Sequence, residues 1–412
     1  MGPHVLVIGD LRPAHRKLVA LGARLSLMIP ANRVQIKDMA FYDRQLILPP
    51  NADEAEWTAL AAALHGVDPI AAIGGFQELL QDKAAIIAAA LGLPFHPLEV
   101  IQATRQKDVM RRMLQAAGVD RIANRRVASA AEIASFAADY GYPLILKPVD
   151  GQASRGVSLL RSAADADAAL DWGQPEAQPT QMLVEPFLEG DEFSVEALSE
   201  GGVHHMICIT RKYKESEHFI ELGHCLPAAV APETAARIYR TVSAALTALG
   251  LRFGPSHTEV IVCGDQVHIV ETHARPAGDH IFELIEAVSG IDLIELWARQ
   301  TLGESVAERL PALPLPLDSF AAIWYAPPVS DGIVAQIQGE DIARALPGVL
   351  KVKAIVAPGA RISSLHGSSS RPAYAIATGA APDEALARAQ AAIQRLAIEL
   401  IEEQAAAHAP IG

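Results

Sequence analysis

The pattern of strand and helix signals changes character near residue 104, and that change points to a multidomain architecture. Ahead of it, short apolar runs alternate with helical stretches. The β-rich run 4–8 ends at Gly9-Asp10, 34–36 and 45–48 are short apolar pieces, and 57–64 reads as a helix. The run 69–73 reads as a strand closing on Gly74-Gly75, and 77–91 as a helix stopped by Gly92-Leu93-Pro94. Alternation of this kind predicts an α/β unit with a doubly wound parallel sheet. The glycines invite a dinucleotide site, but no G-x-G-x-x-G follows either strand, which weakens a dehydrogenase reading.

Beyond residue 104 strands dominate, as in an α+β domain. Thr104 is placed to cap a helix ending near Gly118, with Lys107, Met110, Arg111 and Leu114 on one face. Ser129-Ala130-Ala131-Glu132 has the form of a capping box, opening a helix whose Ile133, Phe136, Ala137 and Tyr140 face the core. Strands are predicted at 142–147, 157–160, 182–185, 192–198, 203–210, 257–262 and 267–272, with an amphipathic helix at 232–249. The Pro-rich stretch 308–318 reads as a linker. After it come strands near 319–325, 351–356 and 373–378 and a final helix at 382–404, a small C-terminal α+β piece. The domain boundaries expected are 1–103, 104–310 and 311–412.

The 412 residues carry 34 Lys and Arg against 48 Asp and Glu, a net charge of −14, which argues against nucleic acid as the main partner. No apolar run reaches the roughly 18–20 residues of a membrane span, and no signal peptide is expected at the N-terminus. Cys208, Cys225 and Cys263 lack metal-ligand spacing. A cytoplasmic protein that acts on small molecules is expected, with a homodimer favoured on general grounds.

Four segments could carry chemistry. In 144–157, Lys147 closes an apolar strand ahead of a Gly/Ser loop holding Ser154 and Gly156. That suits nucleotide phosphates, and reads equally well as a plain hairpin loop with a solvated lysine. In 183–196, Glu185 ends a strand and Glu192 begins the next. An acidic residue past such a turn can accept ribose hydroxyls, although a solvated acidic turn would look the same. The third segment is the most informative. Glu259 and Glu271 lie in two apolar strands joined near Gly264-Asp265. A two-residue loop would turn these carboxylates to opposite faces, whereas a three-residue loop, 264–266, would set them directly opposite each other. Opposed like charges cost up to about 1 kcal/mol unless compensated, and a divalent cation such as Mg²⁺ compensates. The three-residue loop is therefore expected. His273 shares the face of Glu271 and offers a third ligand or a phosphate contact. In the fourth segment, Arg275 can pair with phosphate or carboxylate. Asp279 can receive an ammonium group or cap a helix at 280–288.

In this order the segments resemble the ATP-grasp superfamily over about residues 1–310, with a small lid part at about 120–195. HFIELGH (218–224), GPSHTE (254–259) and ETHARPAGDH (271–280) resemble the L-amino acid ligases more narrowly. The end piece, with LPGV (346–349), APG (357–359) and SSRPAYAIATG (369–379), looks like their C-terminal domain. His273 stands where the superfamily usually has Asn.

The resemblance implies an ATP-dependent ligase joining two amino acids through an acyl phosphate. Lys107 and Lys147 would bind the triphosphate, and Ser154, Gly156 and Val157 the phosphate-loop side. Glu185, Phe187 and Leu188 would border adenine, and Glu192 the ribose. Glu259 and Glu271, with His273 as a third candidate, would hold Mg²⁺, two ions being expected and Mn²⁺ an acceptable replacement. Arg275 would stabilise the acyl phosphate and the tetrahedral state, with Lys147 and His257 also placed in catalysis. Glu221, His257, Arg275, Gly278 and Asp279 would line the amino-acid pocket, and the segments 152–156 and 210–220 would close over it. The competing readings are another carboxylate–amine ligase acting on a non-amino-acid carboxylate or a purine-pathway substrate, a carboxylase-type enzyme, and a nucleotide-binding regulator without chemistry.

Overall fold

A computed structural model describes residues 2–35, 40–151, 155–173, 181–215, 219–316, 318–327, 331–362 and 368–401. The chain divides into two compact units, each assembled from separate stretches. The first comprises Met1–Asn124, Leu188–Ile209 and Val230–Leu315, and the second Arg125–Phe187, Thr210–Ala229 and Pro316–Gly412.

The first unit contains the expected parallel sheet, in the order Arg44–Leu48, Arg24–Pro30, His4–Ile8, Ala72–Gly74. Both faces are covered. Val5, Val7, Leu25, Leu27 and Ile29 pack with Leu18 and Trp297, while Leu6, Ile8 and Met28 pack with Trp57, Leu64 and Ile87. The short apolar piece 34–36 is not a strand at 34–35, and 36 lies outside the described residues; the sheet instead uses Arg24–Pro30, a stretch to which the sequence reading gave no element. Ser26 breaks the apolar run there and disguises it. Ser26 is buried because its hydroxyl meets His4 Nε2 at 2.8 Å, so the polar residue belongs to the core.

Two helices, Leu98–Arg105 and Lys107–Ala116, replace the single one expected. Thr104 lies inside the first of them, its hydroxyl donating to the Ile101 carbonyl, and Gln106 takes the cap position of the second. Lys107, Met110, Arg111 and Leu114 are all buried on the second helix, as its periodicity requires. The rest of the unit is antiparallel. Gln266–His273 pairs with Gly254–Cys263, which pairs with Asp191–Glu200, and the start of Val203–Lys214 continues the sheet. The helix Pro232–Ala248 buries Ile238, Val242, Ala245 and Leu246.

The second unit has a four-stranded antiparallel sheet in the order Arg125–Val127, Met182–Pro186, Leu144–Pro148, Ser158–Leu160. Ser129 caps the helix Ala130–Tyr140 by accepting from the Glu132 amide. The reciprocal half of the capping box is displaced, since Glu132 accepts from Ala128 N. Ile133 and Phe136 are buried, but Tyr140 is 53% exposed and lies against Phe136 rather than in the core. The end of Val203–Lys214 begins a second antiparallel run through Glu221–Leu226, Phe320–Ala326, Ala373–Gly379 and Val349–Ala354. The last helix, Pro382–Ile393, is shorter than expected, because Ala397–Ile401 is a strand paired with Gly332–Gln338. AIELI suits a helix by propensity and a strand by alternation, and pairing decides between them. Among the described residues no helix is long and apolar enough to cross a membrane.

His96 illustrates how the first unit treats buried polar rings. It stacks on Phe253, and its Nε2–H donates to the Phe253 carbonyl at 3.0 Å. Burial lowers its pKa to about 4, against the opposing effect of that hydrogen bond. The folded ring resists a proton that the unfolded chain accepts near pH 6.5, so this contribution to stability is complete above that pH and declines as pH falls towards 4. Histidine NMR titration should therefore find His96 neutral at pH 5.5 in the folded chain; a midpoint near 6.5 would contradict this environment.

Candidate active site

Glu259 does face Glu271, by a route other than the three-residue loop. The hairpin closes on the two-residue turn Gly264-Asp265, with Cys263 opposite Gln266 and Val262 opposite Val267. The register then shifts. Val260 lies opposite Ile269 and Glu259 opposite Glu271, leaving Val270 as the extra residue of a β-bulge. The bulge changes the parity of the strand, so His257 also comes to face His273.

These four side chains form an alternating network of charge. Lys107 Nζ lies 2.9 Å from Glu271 Oε2, and His273 Nε2 lies 3.1 Å from Glu271 Oε1. His273 Nδ1 lies 2.6 Å from Glu78 Oε1, and Arg275 Nε donates to Glu78 Oε2 at 2.5 Å. His257 Nε2 lies 3.3 Å from Glu259 Oε1, and its Nδ1 lies 2.9 Å from Glu196 Oε1, which also accepts from the Ser194 hydroxyl. Each imidazole thus faces a carboxylate through both nitrogens, and only an imidazolium donates twice. Burial disfavours that charge on His257, but Glu196 and Glu259 outweigh it and raise the pKa to about 9. Burial and Arg275 oppose charge on His273, and Glu78 and Glu271 raise its pKa nonetheless. Burial also disfavours ionised Glu78 and Glu271. His273 and Arg275 hold the first well below the usual carboxylate range, and Lys107 and His273 hold the second there.

Glu78 and Glu196 have no role in the sequence reading. Glu78 opens the helical stretch directly after Gly74-Gly75, at the carboxyl end of a parallel strand where sheet topology places ligand-binding residues. That position was the available signal. Glu196 alternates with Ser194 and Glu192 along one strand, and its partner on the next strand, His257, shows its importance only in three dimensions.

Among the remaining residues of the first unit, Glu192 lies opposite Ile261, Leu188 begins the middle stretch, and Gly278 is exposed. Asp279 is not a cap. It and His280 both adopt left-handed backbone (φ 51° and 60°), His280 occupies the cap position, and the helix is Ile281–Ser289.

In the second unit Lys147 Nζ lies 2.7 Å from Glu185 Oε2, both side chains being buried. Gly156 has φ +73°, and a Cβ there would lie 3.0 Å from both Gly173 Cα and Pro148 Cγ, so the turn requires glycine. Val157 follows it, half-buried, and Ser154 lies outside the described residues. Phe187 N donates to the Pro143 carbonyl, and its ring lies 6.0 Å from that of Phe219. Glu221 opens its strand and meets Lys212 Nζ at 3.3 Å. Of the segments expected to close, 152–154 and 216–218 lie outside the described residues.

The facing carboxylates fit a hard divalent cation, because both present oxygen and sit on one face of adjacent strands. As arranged, His273 bridges Glu78 and Glu271 rather than turning a lone pair to a cation.

Two family models match the chain. The ATP-grasp domain matches residues 140–283, and the L-amino acid ligase C-terminal domain 2 matches 324–400. Residues 140–283 thus belong to the ATP-grasp domain family. The chain is 26% identical to the alanine–anticapsin ligase of Bacillus subtilis over 60% of its own length and 56% of that protein. It is 30% identical to a formate-dependent phosphoribosylglycinamide formyltransferase of Pseudomonas putida, over 42% of its length and 43% of the relative. The chain therefore spans about half the length of these curated relatives. An L-amino acid ligase from Bacillus licheniformis shares the fold, with a TM-score of 0.83, 22% identity, and coverage of 97% of this chain and 99% of that one.

Two outcomes follow from the network. Replacing Glu78 by Ala strips two cations of their shared carboxylate. Unfolding free energy from denaturant titration should fall by about 3–5 kcal/mol, the usual cost of breaking a buried ion pair from one side. In metal-free buffer His257, raised from 6.5 to about 9, stabilises the fold fully below pH 6.5, and that contribution is lost as pH rises through 9. Glu196→Gln should flatten the decline in stability between those pH values; an unchanged profile would contradict the pairing.

Proposed function

We propose that the chain joins two free L-amino acids, consuming ATP and giving a dipeptide, ADP and phosphate. The observation that carries the proposal is the placement of Glu259 opposite Glu271 with Lys107, His273 and Arg275 gathered around them. The likeness to L-amino acid ligases supports the choice of substrate.

The first step transfers the γ-phosphoryl group to a carboxylate. A carboxylate oxygen of the first amino acid attacks phosphorus, the bond to the ADP oxygen breaks, and an acyl phosphate forms. Such transfer depends mainly on positioning and on stabilising spread negative charge. In this reading Lys107 supplies compensating positive charge in the first unit, and Lys147 binds nucleotide in the second. In the same reading Gly156 and Val157 contact phosphate, Glu185, Phe187 and Leu188 border adenine, and Glu192 takes the ribose. Glu259 and Glu271 would hold Mg²⁺, whose charge would neutralise the phosphates. His273 keeps Glu271 ionised and oriented. In the second step the amine of the other amino acid attacks the acyl carbon, the carbon–oxygen bond to phosphate breaks, and the nitrogen loses a proton. Arg275, oriented by Glu78, is placed to stabilise the tetrahedral oxyanion, and His257 to steady the reacting groups. In this reading Glu221 of the second unit, and Gly278 and Asp279 of the first, each contribute to recognition of an amino-acid substrate.

Partial identity to the formyltransferases keeps a second reading, in which the carboxylate is not an amino acid. Phosphate release from Mg-ATP across a matrix of paired L-amino acids, with mass spectrometry of products, decides between them. Phosphate plus a dipeptide mass is expected. Release with no amino acid pair, while ATP still binds, would overturn the dipeptide reading. Arg275→Ala should lower kcat by about 10²–10³, as loss of an oxyanion donor does. Glu259→Gln and Glu271→Gln should each abolish measurable release without preventing folding.

A further inference from the structure

The second unit contains a buried cluster around Glu221 whose members Ser368 and Arg371 have no part in the proposed chemistry. Glu221 begins the strand Glu221–Leu226, and a β-bulge follows it directly. Tyr213 lies opposite Gly223, but Lys214 lies opposite Glu221, so Leu222 is extra. Regular pairing would have placed Leu222 opposite Lys214 and turned Glu221 to the other face. The bulge instead brings Glu221 to the face of Lys212 and Lys214, and Lys212 Nζ lies 3.3 Å from Glu221 Oε1.

Residues more than a hundred positions later complete the arrangement. The Ser368 hydroxyl donates to Glu221 Oε2 at 2.6 Å. Arg371 Nη1 donates to the Glu221 carbonyl at 2.9 Å, and Arg371 Nε donates to the Ser368 carbonyl at 2.6 Å. The guanidinium carbon sits 3.6 Å above the Tyr325 ring, and Tyr325 is itself buried in the strand Phe320–Ala326. Arg371 is therefore locked by stacking, and through its fork of donors it ties the Ser368 turn to the backbone of Glu221. One oxygen of the carboxylate is set by Lys212 and the other by Ser368. A planar, multi-donor group is needed for this, and a lysine ammonium cannot both stack flat and span two carbonyls.

We propose that Ser368 and Arg371 are positioning residues for Glu221, fixing its carboxylate to receive the α-ammonium group of one amino-acid substrate. This rests on the dipeptide-ligase reading. A pre-set carboxylate gives affinity because the cost of ordering it is met in folding rather than in binding. The C-terminal residues thereby help to select substrates that carry a free amine.

Steady-state kinetics of Ser368→Ala, Ser368→Thr and Arg371→Lys test the assignment, with each amino acid and ATP varied in turn. Ser368→Ala and Arg371→Lys should raise KM for one amino acid about tenfold, with kcat and the KM for ATP changed less than about threefold. Ser368→Thr, which keeps the hydroxyl, should restore the wild-type KM. A role in folding alone would lower apparent kcat through loss of active enzyme and leave every KM unchanged, and folded variants with both amino-acid KM values unchanged would overturn the proposal. Hydrogen exchange without substrates provides a readout independent of turnover. Amides of 219–226 should exchange faster in Ser368→Ala and Arg371→Lys, with 144–148 unaffected. Unchanged exchange at 219–226 would overturn the positioning role even if the wild-type chain released phosphate with no amino acid, a result that would itself overturn only the ligase reading.

Discussion

Two carboxylates facing each other across adjacent strands repel, and much of the buried charge of the first unit is arranged around that repulsion. In water, opposed acidic residues on a sheet cost up to about 1 kcal/mol, and burial sharpens the conflict. Lys107 and His273 meet Glu271, and His257 meets Glu259. Glu78 and Glu196 then stabilise the two imidazoliums from behind. Charge alternates outward from the pair. Four carboxylates, Lys107, Arg275 and two imidazoliums come from widely separated parts of the sequence, so removing any one leaves a neighbour uncompensated.

This dependence explains what the elements of the first unit are for. The parallel sheet, covered on both faces, ends the strand Ala72–Gly74 where Glu78 can face His273 and Arg275. The amphipathic helix Lys107–Ala116 buries Met110 and Leu114 and, by the same periodicity, directs Lys107 to Glu271. Arg111, also on that face, donates to the carbonyls of Ile269 and Val270, gripping the backbone of the bulged strand. Core packing and site geometry are thus consequences of one helical face.

Much of this was legible from the residues. Short apolar runs that alternated with helices identified the parallel sheet, and Lys107 was placed correctly because its periodicity matched that of Met110 and Leu114. Failures occurred where a polar residue belonged to the core or where pairing outweighed propensity. Ser26 concealed a central strand because its hydroxyl is satisfied by His4, a residue 22 positions away. Ala397–Ile401 became a strand because Gly332–Gln338 supplied a partner. Thr104 has the chemistry of a cap, but the helix boundary fell at Gln106 instead. Glu78 and Glu196 were overlooked because their importance lies in partners, and a single chain does not display its partners.

The hairpin between Glu259 and Glu271 shows a subtler limit. Electrostatic reasoning required the two to face each other and then chose a three-residue loop to achieve it. The pairing is correct and the loop is not, because parity in a hairpin can be changed anywhere along its length. A turn is visible in sequence through glycine and aspartate, whereas a bulge at Val270 carries no such mark; valine is as much at home in regular pairing as in a bulge. The same device recurs at Leu222, where it turns Glu221 towards Lys212. In both places an apolar residue is the extra one and a carboxylate is the residue redirected. A bulge therefore lets a strand keep its apolar side chains while one acidic residue changes face, which a regular register, bound to strict alternation, cannot do.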